Sequence, residues 1–244
     1  MLTERQRCRL CVVLVRTRNP LNIGAAARAM SNFGFDQLRV VQPYELAFRE
    51  ARSAVGAAEL LKTSRQYESV TDTVADCSLV IGTSAIGNRL PEQPIRTLQA
   101  GAKFIRNHLR SGRVALLFGS EKTGLSNEDL SHCHWLLHIP TLPGHLSMNL
   151  GQAVAVTLYE LMRQNRPTKS KPNPKLATAG DLERLTQLLL QAATVSGFVS
   201  TQSFHSSEQK LRRLMRRLHP QAEDGEVLLG ILRQILWKLD RDKG

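Results

Sequence analysis

Asparagine, arginine, glutamate and serine side chains recur in three loops of this sequence, each directly after an apolar run. The first loop leads into Asn19-Pro20-Leu21-Asn22-Ile23-Gly24-Ala25-Ala26-Ala27-Arg28. If a helix begins here at the end of a strand, its free amides can bind an anion. Asn22 and Arg28 could then contact a phosphate or a ribose. In the alternative interpretation, Asn22 caps the helix and Arg28 is an ordinary surface residue.

The second loop is rich in glycine and reads Phe118-Gly119-Ser120-Glu121-Lys122-Thr123-Gly124-Leu125-Ser126. Gly119 and Gly124 have the spacing of a Walker A loop, but Leu125 stands where that loop needs its lysine, which excludes an ATPase of this type. Ser126 has the spacing of a helix capping box with Asp129. Glu121 has no such structural reason to be there, so it is a candidate functional residue.

The third loop runs over residues 139–150 and contains Ser147, Met148 and Asn149. Two prolines and a glycine indicate an irregular loop before a helix. Helix capping would account for either Ser147 or Asn149 alone. It does not account for polar loops after three separate apolar runs.

Histidines and cysteines are candidate metal ligands, because four histidines lie within residues 132–145 and Cys8 and Cys11 form a CxxC pair. No second CxxC completes a zinc site, and histidines near strands are more often structural or solvated. We therefore expect no metal. The four scattered cysteines predict free thiols rather than a disulfide framework.

The elements around these loops predict how the loops are held. Apolar runs at residues 10–15, 37–41, 78–82, 113–118 and 135–139 predict buried strands, and helical patterns, one of them over residues 95–110, follow the first four. Strands that alternate with helices predict an α/β fold with a parallel sheet and helices on both faces. Such sheets bind ligands at the carboxyl ends of their strands, where the three loops begin.

The chain divides into three predicted parts. Residues 1–164 form the α/β domain, residues 165–177 a basic, proline-rich linker, and residues 178–244 a small domain of about three helices. Thr178 with Asp181, and Ser206 with Gln209, have capping-box spacing for two of those helices. Because so small a domain has little core of its own, we expect it to dock on the main domain or on a partner subunit.

Charge and composition indicate polyanionic partners. The 244 residues carry a net charge of +12, and between Arg163 and Arg217 eleven Lys or Arg stand against three acids. Such an excess favours phosphate backbones, although one basic run alone is more often a solvated helix face. No apolar run is long enough to cross a bilayer, and no signal-peptide cleavage site is present. We therefore expect a soluble, cytoplasmic protein.

Together the three loops resemble the ordered motifs of the TrmH-type SPOUT family of RNA 2′-O-methyltransferases. The matching residues are Asn22-x-Gly24-x-x-x-Arg28, Phe118-Gly-x-Glu121-x-x-Gly124-Leu125, and Ile139-Pro140 with Leu146-Ser147-Met148-Asn149-Leu150. The Gly82-Thr83-Ser84-Ala85 turn and the helical C-terminal extension are similar to the TrmJ-like branch. The resemblance covers residues 8–164. It implies a C-terminal trefoil knot, a homodimer with sites at the subunit interface, and S-adenosyl-L-methionine as methyl donor.

The resemblance also implies residue roles. The cofactor pocket would contain Thr83, Ser84, Ala85, Gly119, Ile139, Leu146, Ser147 and Met148, and the RNA-side catalytic group would contain Asn22, Arg28, Glu121, Ser147 and Asn149. Members of this branch methylate the ribose of the pyrimidine at position 32 of the tRNA anticodon loop. We therefore expect a tRNA 2′-O-methyltransferase that accepts cytidine, uridine or both. An rRNA methyltransferase and an RNA-binding protein without turnover are the alternatives.

Arg28 is expected to clamp the phosphate next to the reacting ribose and to stabilise negative charge on the ribose oxygen. Accounts of this family make the matching arginine a general base, yet a guanidinium with a pKa above about 12 is a poor proton acceptor. Ser147 and Asn149 are expected to orient the ribose. The basic tail is expected to bind RNA, so deletion of residues 166–244 should weaken RNA binding more than cofactor binding.

Overall fold

Seven strands form the central sheet of the computed structural model, which describes residues 1–51, 58–84, 92–142, 147–163 and 174–241. The strands are β1 (Leu10–Val15), β2 (Gln37–Val41), β3 (Arg65–Tyr67), β4 (Leu79–Thr83), β5 (Ile95–Thr97), β6 (Val114–Phe118) and β7 (Trp135–His138). They lie in the order β3-β2-β1-β6-β4-β7-β5, and every neighbouring pair is parallel. The five predicted strands and the parallel sheet are confirmed.

The edge strands β3 and β5 lie outside the predicted set. Ile95–Thr97 pairs with β7, and the helix that follows begins only at Leu98. The prediction of one helix over residues 95–110 is therefore wrong at its start. Both edge strands have only three residues, and each exposes two of them, so they lack the apolar run that marks a strand buried on both faces.

Helices cover both faces of the sheet and form the C-terminal region. They are α1 (Glu4–Arg7), α2 (Pro20–Asn32), α3 (Glu45–Ala51), α4 (Ala58–Thr63), α5 (Val70–Val74), α6 (Leu98–His108), α7 (Asn127–Ser131), α8 (Leu150–Met162), α9 (Ala179–Val195), α10 (Phe204–Leu218) and α11 (Ala222–Arg241). Within the described part of the chain, no helix is long and apolar enough to cross a membrane.

The strand β1 shows why the central strands are apolar throughout. Leu10, Val12 and Leu14 belong to a hydrophobic cluster with side chains of α2, α6 and α8. Val13 and Val15 belong to a second cluster, on the opposite face, with side chains of α5 and α7. Because successive side chains of a strand point to opposite faces, a strand covered on both sides needs apolar residues at every position.

The helices α9, α10 and α11 share a small cluster of buried apolar side chains. The capping box predicted for Thr178 and Asp181 is confirmed at the start of α9. The one predicted for Ser206 and Gln209 is wrong, because Ser206 lies inside α10. The capping box forms earlier in the same serine-rich stretch, where Ser200 caps a 3-10 turn over Thr201–Ser203.

This helical region docks on the main domain. The amide of Ala179 donates to the Cys77 carbonyl at 2.7 Å, and His219 Nε2 lies 3.1 Å from the Ser78 carbonyl. Arg212 of α10 forms an ion pair with Glu128 of α7 at 2.8 Å. The interior of the predicted linker, residues 165–173, lies outside the described residues. The boundaries 1–164, 165–177 and 178–244 therefore stay predictions, as does the trefoil knot.

Candidate active site

The three polar loops meet at one edge of the sheet. The strands β1, β6, β4 and β7 are neighbours in that order, and the loops follow β1, β6 and β7. Thr83 ends β4, which is the remaining strand of these four. Because the strands are parallel, their carboxyl ends share one edge, where open α/β sheets bind ligands.

A chain of hydrogen bonds joins one side chain from each loop. Asn149 Nδ2 donates to Asn22 Oδ1 at 2.7 Å, and Asn22 Nδ2 donates to Glu121 Oε1 at 3.0 Å. Asn22 is only 9% exposed, and its amide has a partner at both ends. Its orientation is therefore fixed, and the three motifs are held in one arrangement.

Glu121 holds the loop after β1 in place. Its carboxylate accepts the backbone N–H groups of Arg18 and Asn19, each at 3.3 Å. Burial alone would raise the pKa of Glu121, but hydrogen bonds from Asn22 and from backbone amides lower this pKa below its ordinary value. The carboxylate is therefore ionised at neutral pH and acts as a hydrogen-bond acceptor.

The loops also begin two helices. Asn149 caps α8 by accepting the Gln152 N–H at 3.3 Å. Asn19, rather than Asn22, caps α2, so the interpretation of Asn22 as a helix cap is wrong. Arg28 lies further along α2 at an exposed position, and Ser147 is exposed beside the start of α8.

Thr83, Ser84 and Gly119, which the resemblance assigns to the cofactor pocket, lie at this edge. Thr83 Oγ1 donates to the Leu117 carbonyl of β6 at 2.9 Å, and the Ser84 amide donates to the Leu137 carbonyl of β7 at 3.0 Å. A Cβ atom on Gly119 would lie 2.2 Å from the backbone carbon of Gly124. Only glycine fits where the loop folds back so closely.

These residues fit S-adenosylmethionine, whose adenosine and amino acid parts require apolar surface together with backbone hydrogen-bonding groups. Gly119 offers backbone without a side chain after β6, and half-buried Ile139 follows β7. Met148 is half-buried in the third loop. Ala85 and Leu146, which the resemblance also assigns to this pocket, lie outside the described residues.

The histidines that suggested a metal have structural partners. His134 Nδ1 accepts the Val80 N–H at 3.0 Å, His132 lies 3.7 Å from Glu128, and His138 Nδ1 lies 3.4 Å from the Ser84 carbonyl. Residues 143–146, with the fourth histidine, are not described. In the described ranges no three His, Cys, Asp or Glu side chains group as metal ligands, and the four cysteines are free thiols.

Arg16 and Asp129 form an ion pair next to the site that the sequence pattern does not predict. Arg16 directly follows β1 and has a φ of 51°. Its guanidinium pairs with the buried carboxylate of Asp129 in α7. The pair connects the loop that precedes Asn22 with the helix that follows the Glu121 loop. The positive φ of an arginine leaves no trace in a sequence, so this pair was not predictable.

Comparison with known proteins agrees with this geometry. The profile of the SpoU rRNA Methylase family matches residues 9–159. The tRNA (cytidine/uridine/adenosine-2′-O-)-methyltransferase TrmJ of Pseudomonas aeruginosa is 36% identical over 237 residues and covers 92% of both chains. The crystal structure of TrmJ from Z. mobilis ZM4 has a TM-score of 0.79 and 29% identity, and it covers 92% of this chain and 98% of its own.

A further solved structure matches only part of the chain. It is described as giving structural insights into the 2-OH methylation of C/U34 on tRNA, and it has 27% identity and a TM-score of 0.50. It covers 64% of this chain but 95% of its own. The match of the family profile to more than half of the chain, together with the TrmJ relative, shows that this protein belongs to the SpoU rRNA Methylase family.

Proposed function

We propose that the protein is a tRNA ribose 2′-O-methyltransferase that uses S-adenosyl-L-methionine and acts on the pyrimidine at position 32 of the anticodon loop. The observation that carries this proposal is the chain from Asn149 through Asn22 to Glu121, which unites the three motifs at the carboxyl edge of the sheet. The relatives named TrmJ support tRNA as the substrate class, and they match the helical tail as well as the main domain.

The chain's own residues contribute positioning rather than covalent chemistry. Asn22 has both ends of its amide engaged, so it orients its neighbours. Asn149 contacts Asn22, Ser147 lies two residues earlier in the chain, and both are exposed and can orient the ribose. When bound, S-adenosylmethionine supplies an electrophilic methyl group, and alignment of the 2′-oxygen with that methyl accounts for much of the rate.

Arg28 would complete the site as a phosphate clamp. Its exposed position on α2 leaves it accessible to a large substrate. A guanidinium binds phosphate through two parallel hydrogen bonds and stays charged at every relevant pH. It can therefore hold the flanking phosphate and stabilise the developing negative charge on the ribose oxygen.

We also propose that the protein is a cytoplasmic homodimer with the site at the subunit interface. Large apolar side chains are exposed on the elements that carry the candidate site, namely Leu21 at 80%, Leu142 at 74% and Tyr159 at 56%. These residues belong to the start of α2, the third loop and α8. Large exposed apolar side chains on the elements that form a site favour a protein interface there. Light scattering should give twice the mass of one chain.

The decisive experiment is to incubate the purified protein with radiolabelled S-adenosylmethionine and, in parallel, total tRNA or rRNA, then to map ribose methylation by nuclease digestion and mass spectrometry. A 2′-O-methylated pyrimidine at position 32 is the expected product. Methylation at position 34 would support the proposed reaction but contradict the proposed target nucleotide. Transfer to rRNA alone would contradict tRNA as the substrate. No transfer to any RNA would contradict the proposed methyltransferase activity.

A further inference from the structure

We propose that a cavity between α10 and the main domain binds a phosphate group, which is either a backbone phosphate of RNA or a free phosphate ion. The cavity has a volume of about 230 Å³. The helix α10 lines it with Lys210, Arg213, Arg216 and Arg217, and the main domain contributes Glu92 and His134.

This cavity lies away from the candidate active site. His134 directly precedes β7, and Glu92 comes three residues before β5. The cavity is therefore at the amino ends of the parallel strands, whereas the Glu121 loop follows the carboxyl end of β6. A ligand here would be distinct from the methyl donor and from the reacting ribose.

The lining carries a strong excess of positive charge. The four cations face one acid in the lining, Glu92, which pairs with Arg213 at 2.9 Å and is itself 68% exposed. Outside the lining, Glu183 lies 3.8 Å from Arg216. Ion pairs between described residues include neither Lys210 nor Arg217. Like charges held this close repel one another unless an anion lies between them.

Two buried donors at the cavity add a second argument. Arg216 Nε and His134 Nε2 have no hydrogen-bond partner among the described residues, and the Arg216 side chain is only 2% exposed. Because His134 Nδ1 accepts the Val80 N–H at 3.0 Å, Nε2 of the neutral ring carries the proton. Both unpaired atoms are therefore N–H donors of side chains that line the cavity, and they favour an acceptor there.

The protonation states fit an anion. Burial lowers the pKa of Arg216 to about 10, so its guanidinium is still charged at neutral pH. Burial also lowers the pKa of His134 well below its ordinary value, which keeps the ring neutral. A buried donor without a partner destabilises the folded protein. A water molecule can satisfy such donors, but only an anion also offsets the surrounding charge, and phosphate supplies several acceptor oxygens.

The first test uses the full-length protein and inorganic phosphate. Unfolding temperatures are compared in phosphate and in chloride at equal ionic strength, and phosphate binding is measured by calorimetry. We expect phosphate to raise the unfolding temperature. The double variant Lys210→Gln/Arg217→Gln should bind phosphate at least tenfold more weakly. Both side chains are exposed, so the fold should persist. Arg233→Gln, an exposed change on α11 outside the cavity, is the matched control.

The second test measures tRNA binding of the same variants at several salt concentrations. If RNA supplies the phosphate, the double variant loses tRNA affinity relative to Arg233→Gln, its salt dependence becomes shallower by about one to two phosphate contacts, and inorganic phosphate competes with tRNA. If free phosphate is the ligand, only the phosphate effect is lost.

The proposal is overturned if neither phosphate nor tRNA distinguishes the double variant from Arg233→Gln. The cavity would then contain water only. The calorimetric arm requires neither RNA nor methyl donor, so its result is independent of the proposed methyl transfer.

Discussion

At the scale of single residues, the site depends on a carboxylate that only accepts hydrogen bonds. Glu121 receives two backbone N–H groups and the amide of Asn22. In Glu121→Gln one acceptor oxygen becomes an NH2 group that faces these donors. Loss of one such charge-assisted bond costs about 1.5–3 kcal/mol, so we expect kcat/KM for methyl transfer to fall about tenfold or more. Unchanged kinetics, compared with Glu226→Gln on the exposed side of α11, would contradict this role.

The substitution Arg28→Lys tests whether the site needs a cation that forms two parallel hydrogen bonds. Lysine keeps the charge but cannot form two parallel hydrogen bonds with a phosphate. We expect Arg28→Lys to lower kcat at saturating tRNA by at least about tenfold, because a bidentate charged contact is worth on the order of 1.5–3 kcal/mol. Saturating RNA separates turnover from binding. If most of the turnover remains, Arg28 is neither an essential base nor a bidentate clamp.

At the scale of elements, the glycine-rich loop after β6 must fold back on itself. A methyl group on Gly119 would lie 2.2 Å from Gly124 and 2.3 Å from the amide of Leu125. Both contacts are to backbone, so the loop has to move. We expect Gly119→Ala to lower the free energy of unfolding by about 1–3 kcal/mol and to weaken S-adenosylmethionine binding in calorimetry.

The control for that variant is Gly230→Ala in α11, where an added methyl group meets nothing within 4 Å. Alanine is favoured over glycine inside a helix by about 1 kcal/mol, so this variant should be as stable as the parent or slightly more stable. If the two variants have the same stability and the same S-adenosylmethionine affinity, the close approach at Gly119 contributes to neither.

The central strands were predictable because each is an apolar run buried on both faces, as β1 shows. The edge strand β5 was not, since two of its three side chains are exposed and its pairing with β7 depends on tertiary structure. The same limit applies to the site. Each polar loop stood out locally, but the bond between Asn149 and Asn22 joins residues 127 positions apart. No local spacing predicts such a contact.

At the scale of the whole molecule, histidines connect the tail to the main domain and make its stability depend on pH. His219 stacks on His108, with ring centres 6.2 Å apart, and lies 4.5 Å from His134. Burial, with a contribution from His219, lowers the pKa of His108 from 6.5 to about 4. Burial lowers the pKa values of His134 and His219 as well, and Arg216 adds to both shifts.

The folded protein therefore binds protons less readily than the unfolded chain. Its stability is full above about pH 6.5 and falls as the pH drops towards 4, with about 3 kcal/mol of loss from His108 alone. We expect the unfolding temperature to decrease over this range. His108→Gln can keep a hydrogen bond to Ser78, which His108 contacts at 2.7 Å, and should show a smaller decrease. His205→Gln, at an exposed position of α10, should behave like the parent protein.

The tail is expected to serve RNA binding more than cofactor binding. Its many basic residues point towards a polyanion, and the candidate cofactor residues all belong to the main domain. A chain shorter than this one can form a related structure, because the solved structure related to C/U34 methylation matches 64% of this chain over 95% of its own length. Deletion of residues 166–244 should therefore reduce tRNA affinity at least tenfold and change S-adenosylmethionine affinity only a few-fold.

The same deletion also has a structural cost. It removes Ala179, which belongs to the hydrophobic cluster of one sheet face, and the ion pair between Arg212 and Glu128. The shortened protein should therefore unfold at a lower temperature, and both affinities must be measured well below that temperature. A selective loss of tRNA binding would make the tail an RNA-binding element. Equal losses of tRNA and cofactor binding would mean that it only supports the fold, and the phosphate cavity would then be the remaining reason for its basic surface.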